Sequence, residues 1–308
     1  MTARPAFRSR SFGPDDLDAL LTFVGRCNAA DFCCTVHPGD VRHFMSNIRR
    51  GGDVSDNYRL FEDETGSLAG LLTLYGGKRL GFEWTVMPDE QTSPLVDQMV
   101  AVGEAETLAA ARAAGADSFR VEVLDCDHAG VDLLKARGFT ETDGADNLRV
   151  TLRSLESIPE PVLPEGFTIR AVTGESEADA VGQLHASAFG SRWDAGEYVK
   201  VMRSPAFQVD HELVAVALNG DLAAFLVYWV DPISRSGLFE PVGCGQAYQR
   251  RGLTRALLYE GMRRMAAEGA VVAQVKHESP EENPASAALY ASAGFMPFAS
   301  YRAFVKSV

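Results

Sequence analysis

No apolar run in this 308-residue chain approaches the ~20 residues that cross a bilayer as a helix. Its first residues, Met1 to Arg8, carry charge but no apolar centre of a secretory signal, so the expectation is a cytoplasmic protein without membrane partners. Basic charge is scarce, with 29 Lys and Arg against 42 Asp and Glu, a formal net charge of −13. Such a chain repels polyanions, so nucleic acid is not an expected partner, and cationic or amine ligands are mildly favoured. Cysteine is sparse too. Cys27, Cys33, Cys34, Cys126 and Cys244 are odd in number and scattered, and are read as reduced thiols. Cys33, Cys34 and His37 lack a fourth ligand at finger spacing, so no metal is expected.

What remains is an ordinary globular composition, 46% hydrophobic and 23% charged, long enough for two cores. The stretch Glu156 to Glu165, with three prolines and three glutamates, reads as a stiff, solvated linker. The expected division is residues 1–155, a linker over 156–165, and residues 166–308. Acidity is uneven across it. Residues 1–160 hold 26 acids and 16 bases, whereas residues 161–308 hold 16 and 13.

The most informative segment lies in the less acidic half. An extended apolar run, Leu238 to Val242, leads into Gly243-Cys244-Gly245-Gln246-Ala247-Tyr248-Gln249-Arg250-Arg251-Gly252-Leu253-Thr254. Apolar residues at helical spacing follow, Leu253, Leu257, Leu258, Met262 and Met265. The pattern is strand, tight loop, helix N-terminus. First-turn amides have no carbonyl partner in their own helix and carry the positive end of its dipole, which suits phosphate. Gly252 lacks a β-carbon to obstruct the approach, Thr254 offers a hydroxyl or a cap, and Arg250 and Arg251 offer cationic donors. The loop has neither the Gly-Lys-Ser/Thr ending of a P-loop nor Gly-x-Gly-x-x-Gly.

It does resemble Gln-x-x-Gly-x-Gly/Ala, the pyrophosphate loop of the GNAT acyltransferase superfamily, with Thr254 where Gly or Ala is usual. About thirty residues on, Asn283-Pro284-Ala285-Ser286-Ala287-Ala288-Leu289-Tyr290-Ala291-Ser292-Ala293-Gly294-Phe295 resembles the family's Asn-x-x-Ala-x-x-x-Tyr-x-x-x-Gly-Phe element. The element order fits that topology. A strand at Phe167–Arg170 precedes helices around Ala178–Phe189 and Ala195–Met202. Strands follow at Glu212–Leu218, Leu222–Val230 and Leu238–Val242, the first two joined by an Asn219-Gly220 turn. Then come a helix over Thr254–Ala267, a strand over Val271–Lys276, a helix over Pro284–Ser292 and a final strand pair around Phe298–Val305.

The first half repeats this order. Leu68-Ala69-Gly70-Leu71-Leu72 precedes Leu222-Ala223-Ala224-Phe225-Leu226 by 154 residues, Phe82-Glu83 precedes Phe239-Glu240 by 157, and Gly138-Phe139 precedes Gly294-Phe295 by 156. The fold class expected is therefore α/β, a tandem of GNAT-like domains. Each is a mixed, mostly antiparallel sheet with helices on both faces, a layout similar to that of mycothiol synthases, although no residue establishes that substrate. The first copy's counterpart of the loop, Met87-Pro88-Asp89-Glu90-Gln91-Thr92-Ser93-Pro94-Leu95, lacks Gly and Arg. Its carboxylates are expected to satisfy the helix amides and repel phosphate. The first copy should keep the fold without a CoA site, and be structural or help to form the substrate cleft.

Acyl transfer to an amine needs a neutral nitrogen, and an amine of pKa about 10.4 is neutral in only ~1 part in 10³ at pH 7. A general base therefore helps. Glu240 is the candidate base, expected by two-residue alternation to share a face with Val242. Pro241 removes a ladder donor, which fits the family's splayed central strands. The resemblance implies that Val242, Gly243 and Cys244 line the pantetheine arm, with Val242 N–H toward the thioester carbonyl. It implies that the main chain from Gln249 through Arg250, Arg251, Gly252, Leu253, Thr254 and Arg255 holds the pyrophosphate. Asn283 then faces the arm, and Tyr290 protonates the leaving sulfur. His185, Trp193 and Tyr198 fit helix packing equally well, and His277-Glu278 fits a surface turn. The function expected is acetyl transfer from acetyl-CoA to the amine of a small molecule or peptide, without metal, in a ternary complex. The rivals are a CoA-binding regulatory or scaffold protein and aminoacyl transfer from charged tRNA, the latter disfavoured by the acidic charge. Acceptor and oligomeric state are left open.

Overall fold

A computed structural model describes residues 7–46, 56–142, 148–193 and 195–308, so most of the N-terminal segment weighed above lies outside the described residues. Along the first half run β1 (Arg8–Ser11), α1 (Leu17–Ala30), α2 (Pro38–Ser46), β2 (Tyr58–Glu62), β3 (Leu68–Tyr75), β4 (Gly81–Val86), α3 (Pro94–Ala114), β5 (Ser118–Leu124), α4 (His128–Ala136), β6 (Thr140–Thr142) and β7 (Arg149–Ser154). The second half repeats the series as β8 (Phe167–Ala171), α5 (Ala178–Phe189), α6 (Ala195–Met202), β9 (Glu212–Ala217), β10 (Leu222–Asp231), β11 (Ser236–Cys244), α7 (Leu253–Ala267), β12 (Val272–His277), α8 (Pro284–Ser292) and β13 (Met296–Ser307). The final element is one long strand rather than the expected pair.

The chain folds as two compact units that depart from a linear split in two places. The first takes the described residues of Met1–His37, Gly52–Arg149 and Ala299–Val308, the second those of Pro38–Gly51 and Val150–Phe298. Helix α2 thus belongs to the second unit, and the end of β13 to the first.

In the first unit the strand order is β1-β2-β3-β4-β5-β13, with β6 also on β13. All pairs are antiparallel except β4 with β5. Its core gathers Phe61, Leu72, Phe82, Trp84, Met99, Val121, Leu134 and Phe304. The thiol expectation fails here, because Cys33 is bonded to Cys126, 93 positions further along the chain. Sequence spacing holds no trace of a pairing made by folding the segment before α2 against the turn before α4. Cys27, Cys34 and Cys244 take no part in a disulfide.

The second unit orders its strands β7-β12-β11-β10-β9-β8. The turn at Asn219-Gly220 forms as expected, with Gly220 N–H on Ala217 O and Ala217 N–H on Asp221 O. Helix α7 lays the buried residues Leu253, Leu257, Leu258, Met262 and Met265 on the sheet beside Phe239 and Val275. Gly261 permits the contact, since a β-carbon there would stand 2.7 Å from the Phe239 ring. No helix among the described residues is long and apolar enough to cross a membrane.

Candidate active site

The site begins where two parallel strands part. Strands β11 and β12 pair from Ser236 with Val272 to Phe239 with Val275, whereas β11 runs on to Cys244. Gly245 N–H donates to Ala223 O at 2.9 Å. An extended backbone alternates its amides, so those of Gly243 and Gly245 point to β10. Those of Val242 and Cys244 point the other way, to the side that β12 has left.

At the parting point β11 carries a bulge. Leu226 pairs with Val242 and Tyr228 with Phe239, so Glu240 and Pro241 together oppose Val227. Bulges of this kind re-aim side chains. Phe239 and Val242 both pack toward the α7 core, while Glu240 and Pro241 line a cavity on the other face with Val227 and Trp229. The expectation that Glu240 shares a face with Val242 is therefore wrong, because the extra residue breaks the two-residue alternation. The Glu240 carbonyl, released from regular pairing, accepts the Trp229 indole N–H at 2.7 Å.

Glu240 lies in a mixed setting. Its side chain keeps 37% exposure toward the cavity it lines, but the surrounding protein and the charge of Asp40 raise its pKa to about 7, against a partial offset from Lys276. Lys276 Nζ is 2.6 Å from Asp40 Oδ2, and His43 Nε2 is 3.8 Å from Glu240 Oε1. Asp40 and His43 sit on α2, and the sequence reading missed both. Tyr290 is buried on α8, its ring stacked on His277 with centroids 5.1 Å apart. Burial first and the nearby Glu240 charge second raise its pKa, so its hydroxyl keeps the proton.

The loop beyond β11 has open amides. Ala256 N–H is bonded to Gly252 O at 3.1 Å, and no side chain caps α7. The amides of Leu253, Thr254 and Arg255 precede it in the first turn. Left-handed backbone at Arg250 (φ 61°) and Gly252 (φ 82°) turns the chain into the helix, a geometry that gathers successive amides around an anion. A β-carbon on Gly252 would meet no protein atom, so within the chain glycine is held there by its left-handed φ. Gln249, Arg250, Arg251 and Arg255 are exposed around this turn, with Arg251 stacked over the Tyr248 ring at 5.4 Å. Thr254 is half-buried in the first turn, and the Cys244 thiol, whose pKa is raised by burial, lies 3.6 Å from the carbonyl oxygens of Ala223 and Gly245. Asn283 caps α8 by accepting Ser286 N–H at 3.0 Å, and its amide donates to Glu278 at 2.7 Å. Both ends of that side chain are engaged within the protein.

The cavity beside Glu240 encloses about 290 Å³. His185, Trp193 and Tyr198, which the sequence left open between pocket and packing, all line it. Behind them Glu212 is fully buried, with Oε1 accepting from the Tyr198 hydroxyl at 2.6 Å and lying 3.1 Å from His185 Nε2. A packing stripe and a cavity wall have the same helical period, so the sequence could not separate them.

The Acetyltransferase (GNAT) family matches residues 178–295 of this chain. Among solved structures, a GCN5-related N-acetyltransferase from Sphaerobacter thermophilus superposes with a TM-score of 0.64 at 19% identity, covering 98% of this chain and 95% of that one. A tandem GNAT protein from the clavulanic acid biosynthesis pathway gives 0.64 at 14% identity, covering 99% and 98%. N-myristoyltransferase from Saccharomyces cerevisiae gives 0.57 at 10%, covering 97% and 78%. These identities speak for the fold. No curated protein sequence matches the chain. Residues 178–295 thus resemble the GNAT family, in a chain whose fold is shared with tandem GNAT structures.

Proposed function

We propose that this tandem GNAT chain is an N-acetyltransferase that uses acetyl-CoA and a small amine, with residues 166–308 binding the CoA and residues 1–155 a degenerate copy. The observation that carries the reading is the parting of β11 from β12 beyond Phe239, with the open turn of α7 at one end of the gap and Glu240 beside it. The residues present fit CoA. Amides of Leu253, Thr254 and Arg255, with Arg250 and Arg251 around them, would hold the pyrophosphate, and the outward groups of Val242, Gly243 and Cys244 would flank the pantetheine. The bound co-substrate supplies an activated acyl thioester.

The transfer makes a nitrogen–carbon bond and breaks the thioester carbon–sulfur bond. Glu240 takes one proton from the amine, and the Tyr290 hydroxyl gives one to the departing sulfur, so an amide and a free thiol result. A base with a pKa of about 7 is half ionised at neutral pH and still a useful acceptor. Val242 N–H, aimed into the gap, would meet charge on the carbonyl oxygen, a contribution of about 3 kcal/mol for a preorganised donor. The raised pKa of Cys244 keeps its thiol protonated, which favours direct attack by the amine over an acyl-enzyme. The test is acetyl-CoA-dependent thiol release over a panel of amines, with acetyl-CoA binding measured separately by calorimetry. Binding without release for any acceptor would favour a CoA-binding regulatory protein.

A further inference from the structure

The cavity next to Glu240 has a composition that restricts what can enter it. Its wall is aromatic, with Trp193, Tyr198, Phe207 and Trp229 inside and Phe189, 54% exposed, among the lining residues. The polar handles of two of these rings point elsewhere, Tyr198 to Glu212 and Trp229 to the Glu240 carbonyl. Carbon surface is what they leave for a ligand. Among the described residues that line the cavity there is one carboxylate, Glu240, and no lysine or arginine. At about 290 Å³ it lies at the small end of ligand pockets.

Resting on the transferase reading above, we infer that the acceptor is a small primary amine with an aromatic body and no acidic group, an arylalkylamine in chemical class. Its ring would displace water from the aromatic wall, where stacked and edge contacts are favourable. Its ammonium would be drawn to the Glu240 carboxylate and to the ring faces beside it. A carboxylate or phosphate on the acceptor would meet no lysine or arginine among these residues and would lie against the Glu240 carboxylate, a costly arrangement. A polyamine or aminoglycoside carries several charges, and one carboxylate cannot match them.

Two readouts test the inference independently. Trp193 and Trp229 line the cavity, so tryptophan emission can be titrated with 2-phenylethylamine, spermidine and kanamycin in the absence of acetyl-CoA. In parallel, thiol release is followed with each amine at fixed acetyl-CoA. The expected result is a saturable emission change with 2-phenylethylamine and a kcat/KM at least tenfold above those of spermidine and kanamycin. Trp193→Leu should raise KM for 2-phenylethylamine at least fivefold while acetyl-CoA affinity, the check on folding, stays unchanged. A higher kcat/KM for spermidine or kanamycin overturns the inference while leaving the transferase reading intact. Failure to bind acetyl-CoA sinks the transferase reading instead. The cavity is then judged by emission alone, and no change with 2-phenylethylamine overturns the inference.

Discussion

The two halves of this chain build the same strand–loop–helix junction and finish it differently. In the second unit Glu240 borders a cavity and β11 is parted from β12. In the first, β4 pairs with β5 only at Gly81 and Phe82 and runs on to Val86, so the strands part there as well. Trp84 fills the ground between β4 and α4, packing with Val131 and Leu134, and a β-carbon on Gly130 would come within 3.1 Å of its ring. Glu83, the counterpart of Glu240, is buried and accepts from the Tyr75 hydroxyl. Leu134 occupies the place that Tyr290 holds on α8, 156 residues later. The caps are kept, Asp127 on Gly130 N–H and Asn283 on Ser286 N–H. Folding groups persist in both copies, and the groups proposed for the chemistry persist in one.

The loops teach the same lesson with one correction. The expectation that Asp89 and Glu90 satisfy the α3 amides does not describe the structure. Main-chain carbonyls take them instead, with Ser93 N–H on Glu90 O and Val96 N–H on Ser93 O, and Pro94 has no N–H to offer. A phosphate would find few donors there even without the acidic charge.

The comparison can be broken most severely at the acid and base. Tyr290→Phe should lower turnover by roughly 10²–10⁴-fold with acetyl-CoA affinity little changed, measured by thiol release and calorimetry. Glu240→Gln should lower turnover most near neutral pH, with partial recovery as rising pH deprotonates the amine. In the native protein the rate should rise through pH about 7 as Glu240 ionises. Glu83→Gln, on the same assay, should leave turnover unchanged. A smaller effect is expected at the phosphate turn. Gly252→Asp adds like charge where backbone is left-handed, and acetyl-CoA should bind at least tenfold more weakly, a loss of about 1.4 kcal/mol.

Stability should separate the copies too. Glu240 holds its proton to higher pH folded than unfolded, since its pKa is about 7 against an ordinary 4.5. The stability this contributes is full below pH 4.5 and lost as pH rises through 7. Glu240→Gln should therefore melt higher than the native protein at pH 8 and show no such gain at pH 4. Reduction of Cys33–Cys126 should lower stability by about 2–4 kcal/mol, read by denaturant titration. It should leave acetyl-CoA affinity unchanged, because the bond lies in the first unit.

Much of the fold was legible because its signals are local. The spacing of Leu253, Leu257, Leu258 and Met262 marked α7, and Asn219-Gly220 marked its turn. The loop before α7 and helix α8 were readable for the same reason. What the sequence hid is long-range. The bulge at Glu240 and Pro241 is a property of register with β10, and Cys33 finds Cys126 only after folding. The α2 residues Asp40 and His43 come to Glu240 across about two hundred positions of chain, and no local pattern announces such a visit.

The central claim is that only one of the two copies keeps a CoA site. Titration calorimetry of the full chain with acetyl-CoA measures it directly. One site per chain, lost or weakened in Gly252→Asp, is the result expected. Two equivalent sites per chain would contradict the account.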